Sequence, residues 1–444
     1  MKDEFSDVIE RLIRDSRERA LPPLTSRDVE LPHLPGKALV VIGMRRSGKT
    51  FALYQEMRRL LDSGVSAGRI LYLNFEDDRL QPMPPDILDR ALEAFYRLEP
   101  SARAVGAFIF LDEIQVVEGW ARFARRVLDT EDARLYLSGS SAKMLSTEVA
   151  TEFRGRGFAV EVLPFSFGES LRHGGIEPPA EPPGARVRSE LEARLLRYLE
   201  VGGFPEVQNM DARVRVQVLQ DYVELVLLRD VIERHSISNV HAARAFTRAV
   251  LLAHGSRFSV NKTYNDLRSR GVEVGKDTLH ALLDHLTDAF LVFGIQAFRR
   301  SLRARQVNPR KMYAVDPGLA FATSHAATAD LGARLETAVY LELRRRFGRT
   351  REGAISYYVT SGGHEVDFVV GDVAESRVTE LVQVCADISA PATRARECRA
   401  LGEAMEELGR PGATIVTLHE EGREPMSAGE IRILPAWRWL LGLA

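Results

Sequence analysis

Cysteine is nearly missing from these 444 residues: only Cys385 and Cys398 occur, with no C-x-x-C pair. Neither a disulfide framework nor a thiolate zinc site is indicated. No apolar run approaches the ~18 residues a membrane-crossing helix needs. The first twenty residues, from Met1-Lys2-Asp3-Glu4 onward, are dense in charge where a signal peptide would be apolar. These absences predict a cytoplasmic protein with no membrane partner. Charge of one sign is lacking too, since 60 basic and 62 acidic residues leave a net charge of −2. They are interspersed, so attraction to nucleic acid has to come from local patches. Hydrophobic content of 45% and charged content of 27% exclude a disordered chain. The length predicts two to four domains.

What is present is concentrated first in Gly43-Met44-Arg45-Arg46-Ser47-Gly48-Lys49-Thr50. An apolar run, Ala38–Ile42, precedes it, and Phe51–Met57 reads as a helix. Strand, glycine loop and helix are the context that a phosphate-binding loop G-x-x-x-x-G-K-[ST] requires. The glycines let successive backbone N–H groups turn toward phosphate oxygens, and the helix adds its positive end. Residues 43–51 are thus expected to bind ATP, with Lys49 on the β- and γ-phosphates and the Thr50 hydroxyl on Mg2+.

Around this loop, Phe5, Val8, Ile9, Leu12 and Ile13 recur at helical spacing and predict an amphipathic helix that docks on something. Arg69–Phe75 reads as a buried strand ending in Glu76-Asp77-Asp78, whose acids are either solvated loop or near the nucleotide. The run Ala107-Phe108-Ile109-Phe110-Leu111-Asp112-Glu113 predicts the second half of an ATPase site. Asp112 would hold Mg2+ directly or through water, and Glu113 would polarise the attacking water. A third strand, Arg134–Leu137, ends in Ser138-Gly139-Ser140-Ser141. Its hydroxyls either face the γ-phosphate and water or cap the next helix. Arg154 and Arg156 precede a further strand, Ala159–Leu163. Either an arginine here reaches a neighbouring subunit's nucleotide as a finger, or it is an ordinary surface residue.

Taken in order, Gly-Met-Arg-Arg-Ser-Gly-Lys-Thr, Leu-Asp-Glu-Ile-Gln, Leu-Ser-Gly-Ser-Ser, Arg-Gly-Arg and Leu-Pro-Phe-Ser-Phe-Gly-Glu resemble the AAA-superfamily ATPases of bacteria and archaea. The stretches Gly202-Gly203-Phe204-Pro205-Glu206 and Leu228-Arg229-Asp230-Val231 extend that resemblance along nearly the whole chain. It implies nucleotide and catalytic roles for Lys49, Thr50, Asp112 and Glu113, and it makes Arg156 the finger candidate, which requires a homo-oligomer.

The expected fold class is α/β with four parts. Residues 1–168 form a P-loop ATPase core, a parallel sheet with flanking helices, and 169–240 a helical lid. Residues 241–311 read as a winged-helix domain, because three helices are followed by a strand. Its strip Arg299, Arg300, Arg303, Arg305, Arg310 and Lys311 contains no acid and suits phosphates of double-stranded DNA. Asp277, Asp284 and Asp288 on the reading helix suit a protein contact instead.

Residues 312–444 resemble a restriction-endonuclease-like domain. Glu336 and Asp367 match its carboxylates, with Glu365 on the same strand face as Asp367. Its third element here is Gln383-Val384-Cys385, so the second carboxylate and the lysine of that strand are missing. Cys385 reads as a packed core residue. The domain is therefore expected not to cut nucleic acid. The whole predicts an ATPase whose nucleotide cycle moves a DNA- or partner-binding half. The alternatives are a protein switch without nucleic acid, and an ATP-gated nuclease.

Overall fold

The computed structural model describes residues 4–140, 153, 155–299, 301, 308–323, 331–348 and 354–443. The chain falls into two compact units. The first holds Met1–Leu163 with Asp288–Phe290, and the second holds Pro164–Thr287 with Leu291–Ala444.

In the first unit the strands are β1 (Ala38–Ile42), β2 (Ile70–Asn74), β3 (Ala107–Asp112), β4 (Ala133–Gly139) and β5 (Gly157–Glu161). They form a parallel sheet in the order β2-β3-β4-β1-β5. Every residue of β1 and β3 is buried, which is why both read as unbroken apolar runs rather than alternating ones. Its helices are α1 (Glu4–Glu18), α2 (Lys49–Asp62), α3 (Ile87–Leu98), α4 (Ser101–Val105) and α5 (Trp120–Thr130). Leu53, Met57 and Leu60 of α2 pack with Leu39, Val41, Phe110 and Tyr136 of the sheet. The expected docking of α1 is found: Ile9, Leu12 and Ile13 are buried, and the helix lies on α3 and β2.

The second unit opens with the helix Phe167–His173, which Ser166 and Glu169 start with a reciprocal capping box. The helices Ala185–Val201 and Ala212–Val226 follow, then a seven-residue π-helical segment, Leu227–Glu233. Next come the helix Val240–Leu252, β6 (Ser256–Phe258), the helices Val260–Ser269 and Lys276–Asp288, β7 (Val292–Ala297) and β8 (Arg310–Ala314). Beyond them are the helices Pro317–Thr323 and Leu331–Phe347, then β9 (Ile355–Val359), β10 (Glu365–Asp372) and β11 (Arg377–Val384). The unit closes with the helix Pro391–Leu408, β12 (Gly412–Thr417), β13 (Gly422–Met426), β14 (Gly429–Pro435) and the helix Ala436–Leu440.

All nine of these strands share one sheet, in the order β13-β14-β12-β11-β10-β9-β7-β8-β6. Gln296 and Ala297 of β7 pair in parallel with Ser356 and Tyr357 of β9. The boundary expected between residues 311 and 312 therefore falls inside β8, and the two parts it was to separate are joined by backbone hydrogen bonds. The boundary expected at 168 falls inside the helix Phe167–His173. The first difference arises because strand pairing across long separations leaves no compositional mark, and the second because the capping box at Ser166 starts a helix just before residue 168.

Two of the motifs that carried the resemblance meet here, together with Asp316 just after β8. Phe165 N–H donates to Gly203 O at 2.7 Å, and Gly203 N–H donates to Asp316 Oδ2 at 2.5 Å. A Cβ on Gly203 would lie 2.2 Å from Phe165 O, so no other residue fits that contact. Burial raises the Asp316 pKa to about 6 despite its backbone donors. These motifs hold the second unit together.

Candidate functional site

The phosphate loop is shaped by close backbone approaches. Gly43 has φ 151°, and a Cβ there would sit 2.2 Å from Val162 O, at the end of β5. Arg46 adopts φ 68°, an αL position that costs a non-glycine residue energy and is held by its surroundings. Gly48 starts α2 with no side-chain cap and no acid in the first turn, so the helix's leading N–H groups are left for an anion. The Lys49 side chain is buried and donates to Met44 O at 3.3 Å. Its Nζ lies 3.6 Å from Glu113 Oε1.

Opposite the loop, Asp112 is fully buried at the tip of β3. Its Oδ2 accepts from Thr50 Oγ1 at 2.8 Å and from the Tyr72 hydroxyl at 2.9 Å. Its Oδ1 accepts from Ser138 Oγ, on β4, and Ser138 Oγ in turn accepts from Glu113 N–H at 3.0 Å. Burial raises the Asp112 pKa, while the three hydroxyl donors pull the other way. Glu113 has φ 52°, and Gln115 Nε2 donates to its Oε2 at 2.6 Å. The turn at Glu113 thus carries strain where its carboxylate meets Lys49.

The residues present fit a magnesium-bound nucleotide. Ser47 Oγ in the loop and Ser140 Oγ after β4 are buried without a hydrogen-bond partner among the described residues. Buried hydroxyls are seldom left so, and a phosphate or its water would satisfy them. Thr50 and Asp112, already in contact, are the pair that would hold Mg2+.

Of four supports of this site, sequence reading left Ser138 and Glu76 as open alternatives and missed Arg27 and Tyr72. Arg27, buried ahead of β1, donates to Ser47 O at 3.1 Å and to Leu163 O at 2.6 Å, bracing the loop from behind. Tyr72 and Ser138 both grip Asp112. Glu76, at the tip of β2, pairs with Arg45 of the loop at 3.0 Å. The acids after β2 and the hydroxyl-rich end of β4 were the signals for Glu76 and Ser138; Arg27 and Tyr72 carried none.

Arg156 lies elsewhere. Its carbonyl accepts from Ala38 N–H at 2.8 Å, at the start of β1, and its guanidinium pairs with Asp129 of α5. That is the opposite end of β1 from the loop, so it does not serve this chain's own site. Arg154 and Ser141 lie outside the described residues.

A second cluster of charge lies in the second unit. Lys311 of β8 is buried, with Nζ 2.7 Å from Glu336 Oε1, 2.7 Å from Asp367 Oδ1 and 3.0 Å from Glu365 Oε1. Tyr313 donates to Glu336 at 2.7 Å, Arg257 pairs with Glu365 at 2.5 Å, and Val384 N–H donates to Asp367 Oδ2 at 2.9 Å. Burial opposes the ammonium, yet Asp367, Glu336 and Glu365 outweigh it and raise the Lys311 pKa. Burial, with Asp367 beside it, raises Glu336 to about 8.

One expectation is corrected here: Lys311 is not a phosphate contact on an exposed strip but a buried partner of three carboxylates. The Gln383-Val384-Cys385 strand has no lysine, as read from the sequence, and the lysine among these acids comes from β8. Gln383 carries no charge into the cluster; it accepts from Asp367 N–H at 3.1 Å and donates to Glu397 at 2.8 Å. Of the other strip residues, Arg310 pairs with Asp284 at 3.4 Å. Arg299 donates to Val359 O at 2.8 Å and covers the Tyr358 ring. Arg300, Arg303 and Arg305 lie outside the described residues. Among the described residues no group of three or more His, Cys, Asp or Glu is placed to hold a metal ion, and no helix is long and apolar enough to cross a membrane.

Residues 35–171 match the family described as AAA domain, and residues 192–330 match a domain of unknown function (DUF8612). The uncharacterized protein MJ1544 of Methanocaldococcus jannaschii is 30% identical over 446 residues, covering 98% of this chain and 95% of its own. The chain belongs to the MJ1544 family. An uncharacterized protein of Haemophilus influenzae is 28% identical over 331 residues, 74% of this chain and 78% of its own. Among solved structures, Cdc6p from Pyrobaculum aerophilum covers 66% of this chain and 86% of its own at 14% identity. Its TM-score of 0.26 is too low to add to the sheet order described above. This member of the MJ1544 family has a P-loop core of the AAA type, and nucleotide binding goes with it.

Proposed function

We propose that the protein is a Mg2+-dependent ATPase whose nucleotide cycle rearranges a partner-binding second unit. The observation that carries this reading is the meeting of Lys49, Thr50, Asp112 and Glu113, from two strand tips, around one buried point. Glu113 is the base that orients and deprotonates the attacking water, and its contact with Lys49 sets its position before substrate arrives. Lys49 and the loop N–H groups bind the phosphates and stabilise charge as the terminal phosphoryl group leaves. Thr50 and Asp112 would hold the metal, which would supply charge neutralisation at the phosphate oxygens. Arg156 acts on the site of a second copy, and the active form is a homo-oligomer.

In the second unit, helix–strand–helix–helix followed by β7 and β8, with β6 and β7 flanking β8, supports a winged helix. The strands β9 to β12 with the helix Pro391–Leu408 support a restriction-endonuclease-like part that no longer cleaves. The unit's partner is either double-stranded DNA or a protein. The burial of Lys311 and the engagement of Arg299 and Arg310 favour the protein. Turnover of ATP, measured with and without single- and double-stranded DNA, tests both levels. Absence of turnover would sink the enzymatic reading. Stimulation by DNA, weakened when Arg299, Arg300, Arg303 and Arg305 are neutralised, would reverse the preference for a protein partner.

A further inference from the structure

We infer that Tyr72 is a positioning residue for the metal-binding carboxylate, closing a ring of hydrogen bonds that sets Asp112 against Thr50. The inference rests on the ATPase reading of the site and extends it to a residue outside the loop and the Asp-Glu tip. The Tyr72 hydroxyl donates to Asp112 Oδ2, the same oxygen that accepts from Thr50. Tyr54 in turn donates to the Tyr72 oxygen at 3.2 Å. That donor commits the proton of Tyr72 to Asp112, so the chain of bonds runs in one direction. Tyr54 and Thr50 are both on α2, four residues and one turn apart. The helix therefore grips one carboxylate oxygen by two routes: directly through Thr50, and through Tyr54 and Tyr72.

Packing alone does not call for this arrangement. A phenylalanine at 72 would keep the ring contact with Tyr54, whose centroid is 5.3 Å away. Only the hydroxyl reaches the carboxylate. Ser138 fixes the other oxygen, Oδ1, from the β4 side. With both oxygens held, the carboxylate cannot rotate, and the metal seat is formed before the ion arrives. Outer partners of metal-binding carboxylates act in this way.

The test compares the full-length wild type with Tyr72→Phe and Tyr54→Phe. Nucleotide affinity is measured in EDTA, and Mn2+ affinity is then measured on the nucleotide-bound protein by electron paramagnetic resonance. Tyr72→Phe is expected to weaken Mn2+ binding roughly tenfold or more, with affinity in EDTA and melting temperature unchanged. Tyr54→Phe, one bond further away, should shift Mn2+ binding the same way but less. Unchanged Mn2+ affinity in Tyr72→Phe would overturn the proposal. So would an equal loss of affinity in EDTA, which would make Tyr72 a support of the loop. Wild type that binds no nucleotide would overturn the site reading itself, a result distinct from either of these.

Discussion

Lys311 Nζ and Asp367 Oδ1 lie 2.7 Å apart, and they come from strands β8 and β10, which are not neighbours in the sheet. The lysine reaches across to three carboxylates, with Tyr313 of the same strand beside it on Glu336; Lys311, Glu336 and Asp367 are buried and Glu365 is half-buried. Removing one side of such a cluster strands the other. Lys311→Met is expected to cost about 3–5 kcal/mol of stability, read from urea unfolding. Adding Asp367→Asn to that variant should recover part of the loss, because one carboxylate stranded by the missing ammonium is gone. Equal stability of Lys311→Met and wild type would mean the ammonium contributes nothing.

The two buried acids with raised pKa values give the second unit a defined response to pH. Asp316 titrates at about 6 and Glu336 at about 8, against ordinary values of 3.8 and 4.5. Between those limits the folded state holds protons that the unfolded state has released, so stability falls as pH rises. The contribution is complete below about pH 4 and is lost as pH passes 6 for Asp316 and 8 for Glu336. Denaturation midpoints taken from pH 5 to 9 should decline, and Glu336→Gln should flatten the upper part of the curve. A midpoint that rises across pH 7 to 9 would contradict the assignment.

At the nucleotide site, Lys49→Ala should abolish ATP binding in calorimetry. Glu113→Gln should bind ATP as wild type does and lose turnover by about 10²–10⁴-fold. Retained turnover in Glu113→Gln would assign the base elsewhere.

Incubation with linear, branched and single-stranded DNA in Mg2+ or Mn2+ should leave every substrate uncut. The reason differs from the one the sequence suggested. A lysine is present among the carboxylates, but its ammonium occupies the space between them and satisfies them. Cutting that disappears on Asp367→Ala would show that a metal displaces Lys311.

What could be read from the sequence was what is contiguous. The loop from Gly43 to Thr50 and the β3 tip at Asp112 and Glu113 carry their chemistry in runs of a few residues, so spacing alone located them. Thr50 and Asp112 are 62 residues apart, yet each belongs to a motif that names its role. Tyr72 and Arg27 belong to none: one reaches its partner across 40 residues and the other across 20 and 136. Lys311 was misread for the opposite reason. Its neighbours in sequence are basic, and the acids that claim it come from 25 to 56 residues further on. A run of like charge describes the chain, whereas burial is decided by which strands pair.

Two adjacent cations on β8 meet opposite surroundings. Arg310 and Lys311 are adjacent on β8, one facing Asp284 of the helix Lys276–Asp288 and the other locked among acids. A strand alternates its faces, so sliding β8 by a single residue would swap the two. Register along β8 thus decides which of two adjacent cations stays at the surface and which is enclosed by acids.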